Sequence, residues 1–168
     1  SGTWFSPNPA GASGLPAIGE EAARQRIAHG MPDVLGAARA RYAGKTVAVL
    51  GAGHSAAGTL IDLAALARDV PETRIIWLLR GDDPAKSFGG GANDKLAARG
   101  AVGLMLADLV ATGGLRVETG FRVSRIESAD GALRIAATMP GSAREVVVDE
   151  LIVATGFRPD LGFLNELR

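Results

Sequence analysis

The sequence predicts an α/β domain built on a parallel sheet, with helices packed on it and an antiparallel β-meander inserted in the last crossover. Three observations carry that prediction. The first is Thr46-Val-Ala-Val-Leu50, an apolar β run that breaks at Gly51-Ala52-Gly53 and resumes at once as a helix. The second is another continuous apolar run, Thr73 to Leu79, one helix later. The third is a change of pattern after residue 120, where apolar runs give way to alternating ones separated by Asp-Gly and Pro-Gly. Helical spacing, short continuous runs and strict alternation mark helices, buried strands and half-buried strands respectively. Together they describe a Rossmann-like three-layer domain.

Each element has its own local reason. Residues 1–19 are rich in Gly, Pro and Ser and read as an irregular, extended segment. Glu20 to Ala28 predicts a short helix ended by Gly30 and Pro32. Asp33 then caps a second short helix through Ala43, and Gly44-Lys45 lead into the first strand. After the Gly51 turn, Leu60, Ile61, Leu63, Ala64, Leu66 and Ala67 recur at helical spacing until Pro71 stops the pattern. Thr73 to Leu79 is the second strand, with Trp77, like Trp4, read as a packing residue. Arg80 to Gly91 is a loop. Asn93 or Asp94 caps a helix through about Ala111, which Gly113-Gly114 end. Leu115 to Glu118 is a third short strand. Phe121 to Ile126, Leu133 to Thr138 and Glu145 to Val148 form the meander. Leu151 to Ala154 returns to a core strand that ends at Thr155-Gly156.

Composition narrows the function. With 168 residues and 47% hydrophobic content the chain can fill one core. Net charge is zero and no basic tract occurs, which argues against nucleic acid as a partner. No apolar run approaches the roughly 20 residues that span a bilayer, so no membrane is expected. Ser1-Gly-Thr-Trp-Phe-Ser-Pro7 lacks the pattern of a signal peptide, and a cytoplasmic setting is expected. The chain has no cysteine, which excludes disulfides, thiolate metal sites and a Cys-x-x-Cys redox centre within it. His29 and His54 are its two histidines, too few to expect a metal site.

The Gly51 turn is the candidate binding site. Gly51 lets the chain turn at the strand end, and Gly53 lets a pyrophosphate approach the backbone beside Ala52. Small Ala56 and Gly58 let helix and strand pack closely. The N–H groups and positive dipole end of the helix would face the phosphates. Ser55 either bonds a phosphate oxygen or serves as a helix-terminal cap. His54 either faces the same phosphates or lies exposed. Arg80 follows the second strand, where an acidic residue would bind the adenosine ribose of NAD; an arginine there suits the 2′-phosphate of NADP. Asp82 and Asp83 could serve the ribose instead if Arg80 points away, so NAD stays possible. The Phe88-Gly-Gly-Gly-Ala-Asn-Asp94 stretch reads as a flap or a connector. No general base, nucleophile or metal centre is legible, so chemistry is left to the cofactor.

Three segments resemble the NAD(P)H-binding domain of two-dinucleotide flavoproteins, meaning the flavin-containing monooxygenases and the pyridine nucleotide–disulfide oxidoreductase superfamily. Gly44-Lys45 with Val47 to Ala56 is similar to that group's second nucleotide turn. Ala154-Thr155-Gly156-Phe-Arg158-Pro159-Asp160 resembles the segment that rejoins the flavin domain, and Ser1-Gly2-Thr3-Trp4 resembles the segment that leaves it. The resemblance implies that residues 1–43 link out of an FAD domain, 44–156 bind NADPH, and 157–168 begin the return. It also implies that Ala154, Thr155 and Gly156 lie near the nicotinamide and the flavin, while Arg158 and Asp160 read as paired surface charges. The sequence itself holds no flavin-binding turn ahead of the Gly51 turn. The expectation is therefore an excised domain that holds NADPH for a flavin in the missing FAD domain of a parent oxidoreductase, whose small-molecule substrate is unknown. Alone, the chain would be inactive. The alternative is a stand-alone nucleotide-binding or sensory module without catalysis.

Overall fold

The computed structural model describes residues 6–88, 97–139 and 142–159. Trp4 and the Ser1–Thr3 junction, the 89–94 part of the glycine-rich loop with its Asn93 or Asp94 cap, the Pro-Gly turn at 140–141, and Asp160 lie outside the described residues.

Two sheets organise the chain. Strands β1 (Ile27–His29), β2 (Thr46–Leu50), β3 (Arg74–Leu78), β4 (Arg116–Glu118) and β8 (Glu150–Val153) form a parallel sheet in the order β1-β8-β2-β3-β4. Strands β5 (Val123–Ala129), β6 (Ala132–Met139) and β7 (Ser142–Val148) form the antiparallel meander. Helices α1 (Arg39–Tyr42), α2 (His54–Asp69) and α3 (Ala97–Ala111) complete the fold. The expected Rossmann-like architecture, with the meander in the crossover from β4 to β8, is the one observed.

Strand alternation explains the layers. Val47, Val49, Ile75, Trp77 and Ile152 point to one face and pack with Leu60, Leu63 and Leu66 of α2 and Leu106 of α3. Ala48, Leu50, Ile76, Leu78, Leu151 and Val153 point to the other and pack with Phe121, Ile126, Leu133, Ile135 and Val148 of the meander segment. The parallel sheet is thus buried on both faces, which is why its strands read as continuous apolar runs. Leu60, Leu63 and Leu66 are fully buried, each contributing about 1.5–3 kcal/mol by removal from water.

The segment before β2 departs from expectation. Instead of a helix over Glu20 to Ala28 there is one 3-10 turn, Arg24–Arg26, followed by β1. Without β1 the apolar strand β8 would leave its backbone N–H and C=O groups unpaired at a sheet edge. Ile27 to His29 pair with Leu151 to Val153 and close that edge. Buried Glu20 is not a helix residue either: its carboxylate accepts from the Ala10 N–H at 2.9 Å and the Ala17 N–H at 2.7 Å, closing the loop between them. Glu150 at the start of β8 meets Arg41 at 2.7 Å and Arg26 at 3.9 Å, pinning this segment to the foot of the sheet. Asp33 does organise the following turn, accepting from the Gly36 and Ala37 N–H groups, but the helix it precedes is short and begins at Arg39.

Candidate functional site

The chain leaves β2 at the centre of the parallel sheet. From there it moves through α2 to β3 and β4 on one side, and β8 and β1 fill the other. The carboxyl end of β2 is therefore the point where strand order reverses, and open α/β sheets bind ligands in the crevice at that point. The Gly51 turn occupies it.

Gly51 must be glycine. Its φ is +145°, and a Cβ there would lie 2.4 Å from the carbonyl oxygen of Ala154. The close approach comes from the ladder itself, since the Ala154 N–H donates to the Leu50 carbonyl at 2.8 Å and the Gly51 N–H to the Leu78 carbonyl at 3.2 Å. Ala56 is fully buried beneath the turn, 3.4 Å from where that Cβ would stand. Ala52, Gly53 and His54 are exposed above it. A Cβ on Gly53 would meet nothing within 4 Å, so the space over the helix start is open.

No side chain caps α2, whose N-cap is Gly53. The Ala57 N–H already bonds to the Gly53 carbonyl, which leaves the amides of His54, Ser55 and Ala56 as the helix's orphan donors. Ser55 is half-buried in this first turn and does not serve as the cap. Uncapped amides at the positive end of a helix of 16 residues form a site suited to an anion. His54 lies exposed at the same end.

One brace of the turn was not legible as such. Trp77 packs on the helix side of the sheet, and its indole N–H donates to the Gly51 carbonyl at 2.7 Å, buried from solvent. Read from sequence, Trp77 is only a packing residue. Nothing local signals the bond, because it depends on β2 and β3 being in register, with Leu50 opposite Leu78.

Beside the turn, Arg80 extends past the end of β3 into an open cleft of about 590 Å³ lined by Ala12, Ser13, Arg80, Gly81, Asp82 and Arg122. Arg80 follows β3 and Gly51 follows β2, so the two lie at the carboxyl ends of paired neighbouring strands. Arg80 is exposed, and Nη1 lies 3.5 Å from the Ala12 carbonyl. Of the two aspartates, Asp83 is engaged: its carboxylate accepts from the Ala85 N–H and caps the short 3-10 helix Pro84–Ser87. Asp82 stays in the cleft.

On the other flank, Ala154 is buried behind the turn and presses on Gly51. Thr155 and Gly156 are exposed, but both carbonyls are occupied. Asn8 Nδ2 donates to Thr155 at 3.0 Å, and the Asn8 N–H donates to Gly156 at 2.9 Å. Arg158 is exposed, and its expected pairing with Asp160 lies outside the described residues; Nε donates to Asn8 Oδ1 at 2.8 Å and Nη2 to the Gly14 carbonyl. The 6–14 and 155–158 segments are thus zipped together, with Pro7 bridging Phe157. Gly51, Arg80 and Thr155 thus follow β2, β3 and β8 at the carboxyl edge of one sheet, with Thr155 and Gly156 held by Asn8.

Two ionisable groups away from the crevice are displaced. Burial pushes the Asp62 carboxyl on α2 up, and Asp33 adds to this. Burial also pushes the Tyr42 phenol up, with Arg41 opposing and Glu150 adding. Among the described residues no cluster of His, Cys, Asp and Glu could hold a metal ion, and no helix is long and apolar enough to cross a membrane.

No family model and no curated protein matches the sequence. Solved structures do share the fold. A bacillithiol disulfide reductase from Bacillus cereus superposes with a TM-score of 0.66 at 20% identity, over 99% of this chain and 42% of that one. The FAD-bound cadaverine monooxygenase of desferrioxamine biosynthesis from Erwinia amylovora gives 0.67 at 18% identity, over 91% and 44%. A thioredoxin reductase from T. acidophilum gives 0.59 at 14% identity, over 90% and 43%. The chain therefore spans less than half the length of these proteins and has the fold of one segment of each.

Proposed function

We propose that this chain is the nicotinamide-dinucleotide-binding domain of an FAD-dependent oxidoreductase, with NADPH as the preferred nucleotide. The observation that carries the reading is the Gly51 turn. A glycine that no other residue can replace, at the reversal point of the sheet, leaves three helix-terminal amides open beneath unobstructed space. That space is the cradle a pyrophosphate requires, since phosphate oxygens must approach the backbone where a Cβ would stand.

The residues divide the task. The amides of His54, Ser55 and Ala56 would hold the pyrophosphate, with the Ser55 hydroxyl as a further donor. Arg80, without a carboxylate partner among the described residues, would grip the adenosine 2′-phosphate, and Asp82 would accept from a ribose hydroxyl. Trp77 keeps the turn in place through its bond to Gly51. Bound there, a reduced nicotinamide would supply a hydride to a flavin held by another domain of the parent protein, either a monooxygenase or a reductase of another acceptor. The pairing of Asn8 with Thr155 and Gly156 supports an inserted domain, because the entering and leaving chains run side by side. The same task fits the oxidoreductases that share the fold.

Titration of the chain with NADPH and NADH, repeated for Arg80→Ala, tests the reading. NADPH is expected to bind more tightly, and the substitution to erase most of the difference while sparing NADH. Failure of the folded chain to bind either nucleotide would refute the nucleotide site. Equal affinities unaffected by the substitution would refute the phosphate preference. A parent protein purified without flavin and unable to take up FAD would refute the wider assignment.

A further inference from the structure

We infer that Arg122 is a second cation of the nucleotide site, which grips the adenosine 2′-phosphate together with Arg80; the inference rests on the dinucleotide reading above. The cleft at the end of β3 has two walls. Arg80, Gly81 and Asp82 come from the parallel sheet, and Arg122 comes from the start of the meander. In sequence these arginines are 42 positions apart (122 minus 80), and only the tertiary fold makes them neighbours.

The position of Arg122 is determined on every side. The Phe121 N–H donates to the Leu79 carbonyl at 2.7 Å and the Gly120 N–H to Gly81 at 2.9 Å, locking the chain before it to the end of β3. The Ala12 N–H donates to Val123 at 2.9 Å, locking the chain after it to the cleft floor. Phe121 and Val123 are both buried. Alternation along an extended chain then turns the residue between them outward, and Arg122 is exposed in the cleft.

Charge pairing separates these two arginines from those of β4 to β7; among the described residues Arg68, Arg74 and Arg158 also lack a carboxylate partner, but none of them lines this cleft. Arg116, Arg125, Arg134 and Arg144 on the adjoining strands each meet a carboxylate, from Glu118, Glu127, Glu145 and Glu118 respectively. Arg80 and Arg122 meet none among the described residues, although the chain as a whole carries as many acids as bases. Asp82 is the one carboxylate among the described lining residues, so two cations face one anion there. Placing two guanidinium groups around one cleft costs Coulomb energy that a dianion between them reverses. A phosphate monoester supplies that charge and enough oxygens for a donor fork from each wall.

The test uses the full chain, titrated with NADPH and NADH at constant ionic strength, with inorganic phosphate as a competitor in a third series. Arg122→Ala is expected to weaken NADPH binding about tenfold, the scale of one hydrogen bond to a charged group at a partly exposed site, and to leave NADH binding unchanged. Arg122→Lys, which keeps the charge and loses the fork, is expected to fall between the two. Unchanged NADPH affinity in Arg122→Ala, with a loss in Arg80→Ala, overturns the role of Arg122 and leaves the nucleotide reading intact. An equal loss for NADPH and NADH also overturns it, because a purely structural contribution would act on both. Millimolar phosphate that abolishes the Arg122 effect without displacing NADPH assigns the cleft to a free anion and overturns it as well. A wild-type chain that binds neither nucleotide fails the nucleotide reading, and this inference with it.

Discussion

Gly51 and Gly53 belong to one turn, yet their replacement by alanine is expected to fail in different ways. At Gly51 an added Cβ would lie 2.4 Å from the Ala154 carbonyl oxygen and 2.9 Å from its carbon, at a φ of +145°. Both atoms are backbone held in the parallel ladder, so neither can rotate aside. Backbone strain of this kind costs about 1–3 kcal/mol, and overpacking a buried position costs about 1–3 kcal/mol more. Gly51→Ala should thus lose about 2–6 kcal/mol, a large share of the roughly 5–15 kcal/mol that holds a domain folded. At Gly53 the same Cβ meets nothing within 4 Å and φ is −91°. The cost there is that of a poorer helix cap, about 0.5–1 kcal/mol, but the methyl group stands where phosphate would reach the α2 amides. Urea unfolding followed by far-UV circular dichroism reads the first effect, and NADPH titration reads the second. With a urea slope of about 2 kcal/mol per molar, the midpoint should fall by about 1–3 M for Gly51→Ala and by about 0.5 M or less for Gly53→Ala. Gly53→Ala should weaken NADPH at least about tenfold, the worth of one lost hydrogen bond. A Gly51→Ala protein as stable as its parent would refute the geometric argument. A Gly53→Ala protein that binds NADPH at parental affinity would refute the placement of the ligand.

Two further predictions concern buried groups that position or strain the fold. Trp77→Phe removes the indole donor from the buried Gly51 carbonyl and should cost about 1–3 kcal/mol in urea unfolding, with the ratio of NADPH to NADH affinity unchanged. The Tyr42 hydroxyl is buried without a hydrogen-bond partner among the described residues, so Tyr42→Phe should raise stability by about 1 kcal/mol. Because the phenol is pushed above its usual 10.0 in the fold, chiefly by burial, the fold disfavours its ionised form, so stability is unaffected by this group's titration below about pH 10 and falls as pH rises through the folded value. The Phe variant should therefore show a flatter alkaline limb in a pH series of melting temperatures. An unchanged limb would mean that Tyr42 is not the group titrating.

Much of the fold was legible because its signals are local. The Thr46–Leu50 run, the glycine break and the Leu60, Leu63 and Leu66 spacing each declare their element within a few residues. Asp-Gly at 130–131 likewise announces the first meander turn, where Gly131 takes φ +78°. The segment before β2 was misread for the opposite reason. Glu20 to Ala28 has ordinary helix-forming composition, and only the open edge of β8, more than a hundred positions later, makes Ile27 to His29 a strand.

The candidate site divides in the same way. The strand–turn–helix geometry of Gly51, Gly53, Ser55 and Ala56, on which the proposed phosphate site rests, was legible in sequence because such a turn is a local device: two glycines, small residues and a helix start in fixed order. The position of Arg80 was legible because it follows a strand directly. Tertiary structure alone decided that Trp77 braces the turn, that Asp83 is spent on a cap while Asp82 stays in the cleft, and that Asn8 occupies the carbonyls of Thr155 and Gly156. It alone brought Arg122 beside Arg80. The physical reason is that backbone conformation and amphipathic spacing are written over a few neighbouring residues, whereas the register of parallel strands and the docking of one sheet on another join groups whose sequence separation carries no signal.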